Sequence, residues 1–164
     1  MSNEPRFTLT NDELTLMSVF SGLTGVNPIT CKIVDDIVYF LISDEDIYTI
    51  LSDPIMRREI RKNISGRLTN EKVLKELSRI ISENLNKSAY VVAYYPDPIR
   101  FLRGFFGLNS DARILMSESA GRKVVTIQVP PNRKGAVIGR GGVRARAGRI
   151  FSKALYGIEK INIR

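Results

Sequence analysis

The sequence predicts an α+β fold built as two small units in tandem. Three observations carry this. One order of elements, helix–strand–strand–helix–helix–strand, can be read twice along the chain. Between the two copies stands Pro96-Asp97-Pro98, a run that ends a strand and punctuates the backbone. The charge balance also changes at that point: residues 1–99 hold 11 Lys/Arg against 14 Asp/Glu, and residues 100–164 hold 14 against 3. At 164 residues and 43% hydrophobic content the chain has material for two small cores. The expected divisions are a tail over residues 1–9, a first unit over 10–95 and a second over 96–164.

The first unit opens with a helix over residues 10–24. Thr10 is its N-cap, and Glu13, three residues on, completes a capping box. Leu14, Met17, Val19, Phe20 and Leu23 supply the apolar face. Strands Thr30–Val34 and Ile37–Ile42 follow, joined by an Asp35-Asp36 turn. A helical stretch begins after Ser43-Asp44-Glu45-Asp46, whose carboxylates read as a helix N-terminal charge cluster. A further helix over residues 70–85 starts at Thr69 and carries Val73, Leu74, Leu77, Ile80 and Ile81. Strand Ala89–Tyr95 closes the unit, with Tyr90, Val92 and Tyr94 on one face and an exposed tyrosine expected among them.

In the second unit, Ile99, Phe101, Leu102, Phe105 and Phe106 mark the first helix, and their spacing reads as core rather than as base-stacking platforms. Strands Ala112–Ser117 and Lys123–Val129 form a hairpin around Ala120-Gly121-Arg122, stopped by Pro130-Pro131. A short helix over residues 132–138 runs into Gly139-Arg140-Gly141-Gly142. A longer helix then extends to Tyr156, and Lys160–Ile163 is the last strand. On the long helix, Val143, Ala147, Ile150, Ala154 and Leu155 are assigned to the core.

Residue usage excludes much chemistry. Histidine is absent, which removes the commonest general base and metal ligand. Cys31, the single cysteine, lies between Ile29 and Ile33 and reads as a buried structural thiol. The glycine turn lacks the Lys and hydroxyl of a nucleotide-binding loop, and it follows a helix rather than the strand that a dinucleotide fingerprint needs. No catalytic residue, metal or cofactor is expected. Nor is a signal peptide or membrane span, so a soluble, cytoplasmic protein follows. Nineteen isoleucines, a single glutamine (Gln128) and abundant charge fit a thermophilic source.

What remains is a glycine turn that opens a helix carrying Arg144, Arg146, Arg149 and Lys153, in a half with a net charge of +11. Bare backbone N–H groups at such a turn suit an anion, and the surrounding charge makes nucleic-acid phosphate the expected one.

The element order, with G-x-x-G joining its second and third helices, resembles the type II KH domain. Two such units joined by a Pro-Asp-Pro spacer resemble the archaeal NusA family of transcription factors over essentially the whole chain. The most specific residues are Lys134-Gly135-Ala136-Val137-Ile138-Gly139-Arg140-Gly141-Gly142, with Gly157-Ile158-Glu159-Lys160-Ile161 after them. The resemblance implies three helices on one face of a three-stranded sheet in each unit. It also implies that single-stranded RNA, the nascent transcript, is held without catalysis while pausing, termination or antitermination is influenced. RNA polymerase is the implied protein partner, met through either unit. The residues expected to meet RNA are Lys134, Val137, Ile138, Gly139, Arg140, Gly141, Gly142, Arg144 and Arg146. Arg140 and Arg144 are expected on phosphate, and Val137 and Ile138 under the bases. Where the first unit should carry the same turn it has Asn63-Ile64-Ser65-Gly66-Arg67-Leu68-Thr69, with Gly66 alone, so it reads as a degenerate copy with weakened or absent RNA binding. A ribosome-associated or ribosome-assembly RNA-binding protein and a protein-interaction scaffold remain alternatives.

Overall fold

The computed structural model describes residues 7–164; of the expected tail, residues 1–6 lie outside the described residues. The described chain forms α1 (Asn11–Thr24), β1 (Thr30–Val34), β2 (Ile37–Ser43), α2 (Asp44–Ser52), α3 (Pro54–Arg61), α4 (Asn70–Leu85) and β3 (Ala89–Tyr94). Then come α5 (Pro98–Phe105), β4 (Arg113–Ser119), β5 (Arg122–Gln128), α6 (Pro131–Ile138), α7 (Val143–Tyr156) and β6 (Ile158–Ile163). It is an α+β protein in two compact units, Thr8–Tyr95 and Pro96–Arg164, and Phe7 clusters with the second. No helix among the described residues is long and apolar enough to cross a membrane.

Each unit holds one three-stranded sheet, ordered β1-β2-β3 in the first and β4-β5-β6 in the second. The first pair of each sheet is an antiparallel hairpin, and the third strand returns parallel to the hairpin's second strand. Both hairpins turn in two residues with positive φ: Asp35 (47°) and Asp36 (66°), then Ala120 (52°) and Gly121 (76°). That is the backbone twist a tight hairpin requires. It lets β4 and β5 run closer to the turn than expected, with Arg122 paired to Ser119 rather than lying in the loop.

In the first unit the sheet buries Cys31, Val38, Phe40, Ile42, Val91 and Ala93 against Phe20 of α1, Ile47 and Ile50 of α2, Ile60 of α3, and Val73, Leu77 and Ile81 of α4. Helix α1 starts at the expected capping box. The Thr10 hydroxyl accepts from Glu13 N at 3.1 Å, and Glu13 Oε1 accepts from Thr10 N at 3.0 Å. Its buried stripe runs through Glu13, Phe20 and Thr24, so Leu14 and Val19, assigned to the core from sequence, stay exposed. The expected element order also needs a correction here. The segment after β2 is two helices, because the Asp53 side chain accepts from Ile55 N and Pro54 restarts the helix at its first position. The first unit therefore has one helix more than the second between its hairpin and its last strand.

The second unit is organised around aromatic packing. Phe105 lies 5.7 Å from Phe101, 5.1 Å from Phe106 and 5.8 Å from Phe151, centroid to centroid, and Phe7 approaches Phe151 at 5.8 Å. Gly148 lets α7 sit against Phe106, since a Cβ there would come within 2.3 Å of its Cζ. The buried residues of α7 are Val143, Ala145, Ala147, Gly148, Phe151 and Ser152, while Ile150, expected in the core, is exposed. The buried positions 143, 145, 147, 148, 151 and 152 share one side of the helix, and residue 150 falls just past the edge of that stripe, beside 143.

Candidate nucleic-acid interface

Helix α6 begins with Pro131 at its first position, where a missing N–H costs nothing. It ends at Gly139, whose N–H donates to Gly135 O at 2.9 Å. Gly139 adopts φ 83°, ψ 165°, a region open in practice to glycine alone. A side chain there would also collide, since a Cβ would lie 2.7 Å from Arg144 Cβ and 2.9 Å from Arg144 N. A single 3₁₀ turn, Arg140–Gly142, follows, with Gly141 at φ 61° and Gly142 at φ 77°. Helix α7 then starts from Gly142 with no side-chain cap and no acidic residue in its first turn. The Val143 N–H donates to Arg140 O, but no side chain covers the rest of the first turn, so the positive end of the helix dipole is open to solvent or an anion.

The corresponding helix start in the first unit is closed. The Thr69 hydroxyl caps α4, accepting from Lys72 N at 3.4 Å. The connection before it is fastened down: Ile64 and Leu68 pack against the core, Asn63 Nδ2 donates to Glu76, and Lys72 Nζ donates to Ser65 O. Gly66 has φ 77°, but no tight turn forms around it.

The nine residues expected at the interface separate into three kinds. Lys134 and Arg140 are exposed and have no hydrogen-bond or ion-pair partner among the described residues. Gly139, Gly141 and Gly142 form the turn itself. The others serve elsewhere or in part. Arg144 Nε and Nη2 donate to Phe105 O at 3.2 and 3.0 Å, and Nη1 donates to Ala136 O at 3.1 Å. The guanidinium expected on phosphate thus ties α5 and α6 to α7. Arg146, exposed, donates to Gly141 O at 2.7 Å and braces the turn. Val137 is 1% exposed and belongs to the core rather than to a floor under bases, whereas Ile138 is half-buried. Sequence reasoning missed the carbonyls of Phe105 and Ala136 as anchors, because every residue has a carbonyl and nothing in the sequence marks the one that an arginine will find.

Electrostatics separate the units further. Within the units, the ion pairs among described residues are Glu13–Lys32, Glu59–Lys62, Glu76–Arg79 and Glu83–Arg79, all in the first. In the second, Asp97, Asp111, Glu118 and Glu159 are the side-chain carboxylates, and each is exposed. Cys31 is fully buried, and that burial pushes its thiol up to about 12, leaving it unreactive at neutral pH.

No protein-family model and no curated protein matches the chain. A solved structure, "Crystal structure of APE1850", is similar to it, with 31% identity, a TM-score of 0.61, and coverage of 95% of this chain and 100% of that one. At that identity and coverage, with two three-stranded sheets in one α+β chain, the protein belongs to the same family as APE1850.

Proposed function

We propose that the second unit is a KH-type module that holds single-stranded RNA, and that the chain acts in transcription as NusA-like proteins do. The single observation that carries this reading is the glycine turn at Gly139–Gly142. It opens α7 without a side-chain cap and brings Arg140, with Lys134 in the helix before it, as exposed cations that have no partner among the described residues. The sugar-phosphate backbone approaches the turn where no Cβ stands at Gly141, the α7 N-terminus faces a phosphate, and Lys134 and Arg140 add charge-assisted contacts. Ile138 offers apolar surface to a base, and such modules hold about four nucleotides. Arg144 and Arg146 keep the turn in shape. The first unit, with Thr69 over the equivalent helix start, does not bind in this way.

The test replaces Arg140 and Gly141 by aspartate together, leaving Gly139 and Gly142 to form the turn. A loss of about tenfold in single-stranded RNA affinity, about 1.4 kcal/mol, is expected from a folded variant. Undiminished binding refutes the module. The transcription role is tested separately by affinity purification of the tagged chain from its own cells. RNA polymerase in the eluate supports it, and ribosomal particles alone refute it.

A further inference from the structure

The first unit segregates its own charge. Residues 8–52 hold one basic residue, Lys32, against seven acidic ones. Residues 53–75 hold seven basic residues against Asp53, Glu59 and Glu71. The basic segment begins with α3 and runs through the 62–69 connection into α4.

On α3, Met56 and Ile60 face the core while Arg57, Arg58 and Arg61 are exposed. The one carboxylate within the helix, Glu59, is engaged by Lys62 at 2.7 Å, so no ion pair within the unit neutralises the three arginines. Their spacing is electrostatically unfavourable: Arg57–Arg61 and Arg58–Lys62 are like-charge pairs at i,i+4, each costing a few tenths of a kcal/mol. The helix dipole accounts for Arg58 and Arg61, which sit in the last turn, but not for Arg57. It disfavours Lys72 and Lys75, which lie near the N-terminus of α4 where negative charge belongs, and of the two only Lys72 has a structural role there, its bond to Ser65 O. Arg67, exposed in the connection, carries the charge from one helix to the next. Fold stability alone does not call for this arrangement, whereas a polyanion on this face does.

We infer that the α3 face, through Arg57, Arg58, Arg61 and Arg67, is a second phosphate-binding surface that engages single-stranded RNA without a glycine turn. It reads no bases. Its contribution is electrostatic, and it acts on RNA long enough to leave the first site and reach a second contact. Taking RNA as the polyanion rests on the proposed function of the second unit. Charge complementarity makes RNA the occupant, because a phosphate backbone supplies one charge per nucleotide along a strip of exposed guanidinium groups.

The test uses the full chain and two labelled random-sequence RNA pools, of five and twenty nucleotides. The variant replaces Arg57, Arg58, Arg61 and Arg67 by alanine, and a control replaces the same four by lysine. The alanine variant is expected to lose fivefold or more in affinity for the twenty-nucleotide pool. The slope of log affinity against log salt should fall by about 2 to 3, as the loss of three or four phosphate contacts requires. Affinity for the five-nucleotide pool should hold within twofold, and the lysine control should keep most of the long-RNA affinity. A folded alanine variant with unchanged long-RNA affinity and slope overturns the inference, and leaves an acidic protein surface as the face's occupant. Equal losses for both pools also overturn it, because they show a diffuse field rather than a second site. Failure of the glycine-turn reading is distinct: it appears as undiminished five-nucleotide binding when Arg140 and Gly141 are aspartate.

Discussion

Gly139 and Arg144 approach so closely that a Cβ on the glycine would stand 2.7 Å from the arginine's own Cβ. The turn between α6 and α7 is therefore set by two constraints at once, the backbone angles of Gly139 and the passage of α7 past it. Gly141 differs. It has φ 61° and ψ 17°, and nothing lies within 4 Å of where its Cβ would be.

This contrast predicts unequal alanine substitutions. Gly141→Ala places a residue in the left-handed region, at about 1–2 kcal/mol. Gly139→Ala adds steric overlap with α7 to a backbone region that alone costs about 1–3 kcal/mol. Thermal or urea unfolding of the full chain should show Gly139→Ala as at least twice as destabilising. Equal effects would mean that α7 shifts freely, and that the turn is not held as described.

Arg144 is expected to behave as a brace. Replacing it with alanine removes its hydrogen bonds to Phe105 O and Ala136 O and leaves those carbonyls to find water. A loss of about 2–3 kcal/mol is expected for bonds from a charged donor. By comparison, Lys134→Ala and Arg140→Ala should leave the unfolding midpoint within about 0.5 kcal/mol of the parent while weakening RNA binding. The opposite ranking, with Arg144 dispensable to stability, would return it to the phosphate-contacting set.

Glu13 makes the first unit sensitive to acid. Burial pushes its carboxyl up, but the N–H groups of Thr10 and Ile33, the Lys32 charge and the Thr10 hydroxyl together outweigh that, so its pKa lies below the ordinary 4.5. A carboxylate lowered on folding contributes stability that is fully present above the unfolded value and lost as pH falls through the folded one. Glu13→Gln keeps the shape of the cap and removes the charge, at about 1–2 kcal/mol near pH 7. Melting temperatures of parent and variant should differ at pH 7 and converge on acidification below 4.5. A gap that persists below pH 3 would assign the effect to packing rather than charge.

Elements with a local cause were legible. The Thr10–Glu13 box, the Asp35-Asp36 turn, Pro96-Asp97-Pro98 and the run from Pro131 to Gly142 each act within a few residues, so the chain's local chemistry shows where they stand. The turn's glycines were legible for the same reason, because positive φ leaves few other residues able to serve. Helix faces were less so. Leu14, Val19 and Ile150 are apolar and near the buried stripes of α1 and α7, yet each is exposed. Periodicity places a residue on a stripe only to within the width of that stripe, and the neighbouring element decides which edge is covered.

The sequence by itself determined two tandem α+β units, the charge division between them and the glycine turn, because composition and backbone preference act locally. Only the tertiary structure decided what the arginines near that turn do. Arg140 and Arg144 stand in the same basic segment, but one reaches solvent and the other binds the carbonyls of Ala136, in the preceding helix, and of Phe105, which lies 39 residues away along the chain. A guanidinium takes whichever acceptors folding brings within hydrogen-bonding distance, and no spacing in the sequence records which those will be.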